Sequence, residues 1–215
     1  MFNSQAEQDK FILSILKHKM NGFFVEIGSN DPKNINNTYI LEKTYNWKGI
    51  MIEMQLQYLN SYKVHRPNSI HVMQDATQIN FKDLFETNNV PLQMDYLQID
   101  LEVENESTIQ TLENLNKVMD KYSFATVTFE HDIYRGNYFD TINRSRKIFK
   151  DRGYICIFKN IQNIELNAVY EDWYIHPSLV DMDYVNKIIA QNEINYEDNP
   201  FINGKSINFK RINYS

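Results

Sequence analysis

The sequence holds a single cysteine, Cys156, among 215 residues. No internal disulfide can form, which excludes a disulfide-stapled secreted scaffold. Cys156 sits inside the apolar run Tyr154 to Phe158 and reads as a buried, inert thiol. No apolar stretch approaches the roughly 20 residues of a membrane-spanning helix. Phe11 to Leu16 is too short for a secretory leader and follows Glu7 and Asp9. The expectation is a cytoplasmic chain without a membrane partner. An excess of positive charge is also missing: 22 Lys and Arg face 28 Asp and Glu, a formal net charge of −6. Binding to a nucleic-acid backbone rests on clustered basic residues, so nucleic acid is disfavoured as the main partner. Internal repeats and low-complexity linkers are absent. Richness in Asn, Ile, Lys and Tyr fits an AT-rich genome, bacterial or viral.

What is present is an ordinary globular composition, 42% hydrophobic and 23% charged, long enough for one α/β core. The whole chain reads as one domain, 1–215, with an N-terminal helix inside 1–21 and a polar tail at 192–215. Apolar spacing predicts that helix from Ser4 to Lys19. Strands are expected at 23–27, 49–53, 70–73, 96–99, 124–129, 154–158 and around 173–175. Helices are expected near 37–45, 55–65, 81–86, 107–121, 144–151 and 178–191, with Ser107 as an N-cap and Gly153 at a C′ position. The alternation implies a mostly parallel, doubly wound sheet of about seven strands with helices on both faces.

The stretch GFFVEIGSNDP at 22–32 is the most informative one. A buried parallel strand ends in Glu26 and Gly28, then a tight polar turn leads into a helix. That order places a ligand at the carboxyl end of the first strand. The second strand, GIMIE at 49–53, ends in Glu53, a carboxylate suited to both hydroxyls of a ribose. A dinucleotide is disfavoured. The pyrophosphate fingerprint G-x-G-x-x-G is missing, with Asn30 and Lys33 at its glycine spacings and Pro32 lacking an N–H. S-adenosylmethionine (SAM) has a ribose but no phosphate and tolerates such a turn. Its expected neighbours are Glu26, Gly28, Asn30, Thr38, Glu53, Met54, Asp75 and Ala76, with Glu53 at the ribose, Gly28 at the amino-acid portion and Asp75 at the adenine.

Acids recur where the strands end: Glu26, Glu53, Asp75, Asp100, Glu130 and Asp132. In a parallel sheet these ends share one edge. Transfer of a methyl group to an alcohol needs a base or a metal. Asp100, Glu130, His131 and Asp132 are the candidates for that work. Asp100 with Glu130 or Asp132 could bind Mg2+ or Mn2+ through oxygen. His131 could take the proton, but along a strand it points away from residues 130 and 132. Tyr134, Arg135, Glu171, Asp172 and Trp173 form an aromatic and charged set that suits a sugar; a core Trp with a polar rim is the equal alternative.

The ordered segments SQAEQD (4–9), GFFVEIGSNDP (22–32), NNTYILEK (36–43) and WKGIMIE (47–53) begin a series that runs nearly end to end. It continues with MDYLQIDLE (94–102), FATVTFEHDIY (124–134), RSRKIFKDRGY (144–154) and EDWYIHP (171–177). This series resembles the FkbM-type SAM-dependent methyltransferases, departing at Val103, where many relatives have glycine. The resemblance implies a Rossmann-like class I methyltransferase fold. It also implies O-methylation of a hydroxyl on a sugar, glycan or small natural product. The alternatives are N-methylation of a small amine and a non-catalytic cofactor-binding module. A nicotinamide-dependent oxidoreductase ranks below both.

Overall fold

The computed structural model describes residues 3–163 and 168–191; the expected polar tail at 192–215 lies outside them. Seven strands form one sheet: β1 (Phe23–Ile27), β2 (Lys48–Glu53), β3 (Ile70–Met73), β4 (Gln93–Ile99), β5 (Ser123–Glu130), β6 (Ile155–Asn163) and β7 (Ala168–Ile175). Their order is β3-β2-β1-β4-β5-β7-β6. All pairs among β1 to β5 are parallel, and β7 runs antiparallel between β5 and β6. From β1 the chain winds outward through β2 and β3, then returns to the other side of β1 with β4. The β1/β4 junction is therefore the topological switch point, where open α/β sheets bind ligands.

Among the described residues seven α-helices cover the faces: α1 (Gln8–Ile15), α2 (Tyr39–Tyr45), α3 (Leu59–His65), α4 (Phe81–Thr87), α5 (Ser107–Asn116), α6 (Phe139–Asp151) and α7 (Met182–Gln191). Strand alternation divides the core in two. Val25, Ile27, Leu97, Ile99, Val127 and Phe129 pack with α4, α5 and α6 on one face. Phe24, Met51, Tyr96, Trp173 and Ile175 pack with α1, α2, α3 and α7 on the other.

Several boundaries differ from expectation for local reasons. The first helix is shorter than Ser4–Lys19. The Asp9 carboxylate accepts from Asn3 N, Ser4 N and Ser4 Oγ, which holds residues 3–7 as a loop. At its other end Lys17 and His18 adopt φ of 51° and 53°. Ser107 is the first helical residue of α5 and not its cap; Asn105 Oδ1 accepts from Ser107 N at 3.0 Å, after a left-handed Glu106 with φ 62°. Val103, where the resemblance to the FkbM-type sequences breaks, is buried just before that turn. Strands β6 and β7 extend well beyond their apolar centres. Gly153 has φ 83° directly after α6, as its position predicts.

Candidate functional site

Three strand tips are stitched together at the switch point. The amides of Gly28 and Ser29 both donate to Ile52 O, at 3.0 and 3.2 Å, and Asp100 N donates to Ile27 O at 3.1 Å. Gly28 has φ +81°, and a Cβ there would lie 1.8 Å from the Asp100 carbonyl oxygen. Only glycine lets β1 and β4 approach this closely before the chain turns.

Glu53 closes β2 and is buried. One oxygen accepts from Asn30 N at 3.0 Å and the other from Gln55 N at 2.9 Å. Asn30 turns in the left-handed region, φ 46°, and its carbonyl accepts from Tyr62 Oη at 2.6 Å. Met54 beside Glu53 is 68% exposed, an apolar surface at the tip of β2. Asp75 is exposed and caps the short turn Ala76–Gln78 by accepting from Thr77 N, while Ala76 is buried. Asp75 therefore stands at the carboxyl end of β3, in line with Glu53 on the neighbouring strand.

Glu26 and Thr38 lie deeper than expected, both at 0% exposure. Thr38 Oγ1 donates to Glu26 Oε1 at 2.9 Å, and Asn36 Nδ2 lies 3.4 Å from Oε2. Both residues thus support the loop over β1 from beneath and offer no surface to a ligand. Burial raises the Glu26 carboxyl pKa; Arg66, Thr38 and Asn36 act against that rise. Arg66, which sequence reasoning missed, is fully buried beside this group.

On the other side of the switch point, Asp100 follows β4 and Glu130 ends β5. Glu130 pairs in register with Glu171 on β7. Asp100 reaches solvent although protein surrounds it, and that desolvation raises its pKa. The Asp100 and Asp132 carboxyl groups face Glu130. Desolvation first, then the Asp100 and Asp132 charges, push its pKa well above the carboxylate range. Among the described residues no group of three His, Cys, Asp or Glu side chains is arranged to hold a metal, so the expected Mg2+ or Mn2+ site at Asp100, Glu130 and Asp132 does not fit this geometry. Glu171 is also buried, and desolvation together with the nearby Asp100 charge moves its pKa up to about 8. Gln8 of α1 donates to Glu171 Oε1 at 2.7 Å.

His131 is turned away from this edge, as strand alternation requires. It is fully buried, with Nε2 3.5 Å from Asp172 Oδ1. The expectation that His131 takes an acceptor proton is therefore corrected: burial keeps it from reaching one. Asp172 is fully buried as well and accepts from Arg146 Nε at 2.7 Å and Nη2 at 3.0 Å, and from Asn160 N at 2.8 Å. Burial alone would raise its carboxyl pKa; the nearby His131 ring and the Arg146 hydrogen bonds outweigh that and hold it below the usual range.

The five residues expected to bind substrate do not assemble into one set. Trp173 is a core residue, its ring stacked on Phe11 with centroids 4.8 Å apart. Asp172 belongs to the Arg146 network on the opposite face. Glu171 remains beside the acidic edge. Tyr134 and Arg135 are exposed just beyond Asp132, with Arg135 Nη1 3.3 Å from Asp132 Oδ2.

No family model and no curated protein sequence matches the chain. Solved structures match its fold. A TehB-like SAM-dependent methyltransferase from Corynebacterium glutamicum superposes with a TM-score of 0.55 at 9% identity, over 82% of this chain and 89% of that one. A candidate rRNA methylase from Clostridium thermocellum gives 0.53 at 14%, over 82% and 98%. A candidate methyltransferase from Streptococcus mutans, SMU.1697c in complex with S-adenosylhomocysteine (SAH), gives 0.52 at 12%, over 81% and 99%. The fold is thus the Rossmann-like α/β fold of class I methyltransferases. Among the described residues no helix is long and apolar enough to cross a membrane.

Proposed function

We propose that this chain is a SAM-dependent methyltransferase of the FkbM type that transfers a methyl group to a hydroxyl of a sugar, glycan or small natural product. The observation that carries the reading is the pairing at the switch point. Gly28 lies against Asp100 on one side, and Glu53 grips the turn at Asn30 on the other, in the strand order of methyltransferases. The cofactor would lie across the tips of β1, β2 and β3, its ribose at Glu53 and its adenine toward Asp75 and Ala76, with Met54 alongside.

In this reading the acceptor meets the methyl group at the edge formed by Asp100, Glu130 and Glu171. The acceptor oxygen attacks the methyl carbon in line, within about 3–3.5 Å. The carbon–sulfur bond breaks with its electron pair going to sulfur, which leaves SAH. The acceptor proton passes to a carboxylate. A carboxyl group with a raised pKa is suited to this; burial has raised that of Glu130, half-buried at this edge, and that of Glu171 buried beside it. No step is assigned to a metal.

A second reading, methylation of a small amine, is favoured by the same acids: they would hold the amine and take up its proton, and the neutral amine attacks without the further activation that an alcohol needs. A binding module without turnover is the third. Calorimetry with SAH tests the cofactor: no binding by the folded chain overturns all three. Labelled SAM incubated with a panel of glycans and amines then separates them, with label on a glycan hydroxyl expected. Label on amines alone selects the second reading, and SAH binding with no transfer selects the third.

A further inference from the structure

Arg66 is a charged side chain with 0% exposure, set just after α3, far in sequence from the glycine turn. Its guanidinium fork is fully engaged by that turn. Nη1 donates to Asn36 Oδ1 at 2.9 Å and reaches Pro32 O at 3.4 Å, and Nη2 donates to Thr38 Oγ1 at 2.6 Å. Nε donates to Glu42 Oε2 at 2.9 Å, and Nη1 lies 3.9 Å from Glu26 Oε2. Tyr62, one helical turn earlier on the same face of α3, donates to Asn30 O. One face of α3 therefore clamps the loop 30–38 from Asn30 to Thr38.

A buried guanidinium is costly unless its donors are matched, and its planar fork matches several acceptors at fixed angles. Here the acceptors are the side chains and carbonyls that shape the loop over the tip of β1. We propose that Arg66, with Tyr62, is a positioning residue for the cofactor site: it fixes the loop 30–38 and sets its cation against Glu26 beneath it, so that Asn30 and Gly28 are presented at the switch point. This rests on the SAM-binding reading above. The titratable groups facing Glu26 are Arg66 and Tyr62 from α3, Tyr96 from β4, and Glu42 of α2 through Arg66. Arg66 is the cation among them, and it opposes the effect of burial on Glu26.

SAH affinity is to be measured by calorimetry from pH 6 to pH 8.5, with thermal unfolding as the check on folding. The variants are Arg66→Lys and the double variant Arg66→Met/Glu42→Gln, which removes both members of the buried ion pair. Arg66→Lys keeps the charge and loses the fork; its affinity is expected to fall about tenfold at every pH, the size of one charged hydrogen bond. The double variant is expected to lose about as much at pH 8.5 and progressively more toward pH 6, as Glu26 takes up a proton without its cation. Adding Glu26→Gln should flatten that pH dependence. Wild-type affinity in folded Arg66→Lys overturns the proposal, as does a loss in the double variant that does not vary with pH. Failure of the wild-type chain to bind SAH overturns the reading on which the proposal rests, and is seen before any variant is made.

Discussion

Alanine at position 28 would carry a methyl group into the Asp100 carbonyl oxygen and would hold a φ of +81° that L-residues avoid. We expect Gly28→Ala to lose at least about 2 kcal/mol of stability by chemical denaturation, and SAH binding with it. Glu53→Ala removes a buried acceptor of two backbone amides. SAH affinity should fall by about one to two orders of magnitude on calorimetry; unchanged affinity in the folded variant would remove Glu53 from the site. Glu171 gives a pH signature. Its folded pKa of about 8 lies above the ordinary glutamate value of 4.5. The folded state then binds more protons than the unfolded state between those values. The stability this confers is fully present below about 4.5 and is lost as pH rises toward 8. Glu171→Gln removes the effect, so the variant should gain on wild type in thermal unfolding as pH rises through that window, by up to a few kcal/mol. A difference independent of pH would contradict the raised pKa. Gly28, Glu53 and Asp100 were legible in the sequence because each ends an apolar run. Arg66 was not, because its partners lie on the loop 32–38 and on α2, and an isolated arginine in a polar stretch looks like a surface charge.

At the scale of elements, β1, β2, β3 and β5 were legible because short apolar runs between turn residues leave little choice of structure. Strand β7 was only partly so. Its register places Glu171 against Glu130 and Asp172 against Phe129, and two adjacent buried acids interrupt the apolar pattern that marks a strand. The two acids are accommodated on opposite faces by different means, Glu171 by Gln8 and proton uptake, Asp172 by Arg146. The helix α6 thus carries the cation on which β7 depends. Arg146→Met leaves the buried Asp172 carboxylate without its main partner and should cost about 3–5 kcal/mol in denaturant unfolding. Asp172→Asn in the same background should restore much of it. A mild effect of Arg146→Met alone would mean that His131 and the Asn160 amide suffice to hold the charge. Helix α1 shows the same dependence on polar partners: its amphipathic pattern was read correctly, but Asp9 draws the preceding residues into a loop.

At the scale of the whole molecule, one sheet face is apolar except for the Asp172–Arg146 pair, and the other turns polar toward the carboxyl edge. Phe24 pairs with Tyr96 and Glu26 with Gln98 along β1 and β4, and the same alternation brings Glu130 opposite Glu171. The edge on the β2 and β3 side of the switch point carries Glu53 and Asp75, and the β4 and β5 side carries Asp100, Glu130 and Glu171. The fold class was readable from the order of strands and helices, and so was the convergence of the acids. Which acids lie together depends on side-chain direction at the ends of β5 and β7 and could not be read from spacing, whereas strand alternation already turned His131 from its neighbours and a core Trp173 was one of two equal readings. This division predicts separable defects. Glu130→Gln keeps the shape but cannot accept a proton. With the acceptor found in the glycan panel, its turnover should fall by about 10²–10⁴-fold, the usual size of a lost acid–base partner, while SAH affinity stays at the wild-type level. Glu171→Gln should act in the same direction. His131→Ala should instead lower stability, through the Asp172 network. If Glu130→Gln and Glu171→Gln both turn over normally, the acceptor needs no base at this edge, and methylation of an amine held by the acids becomes the better account.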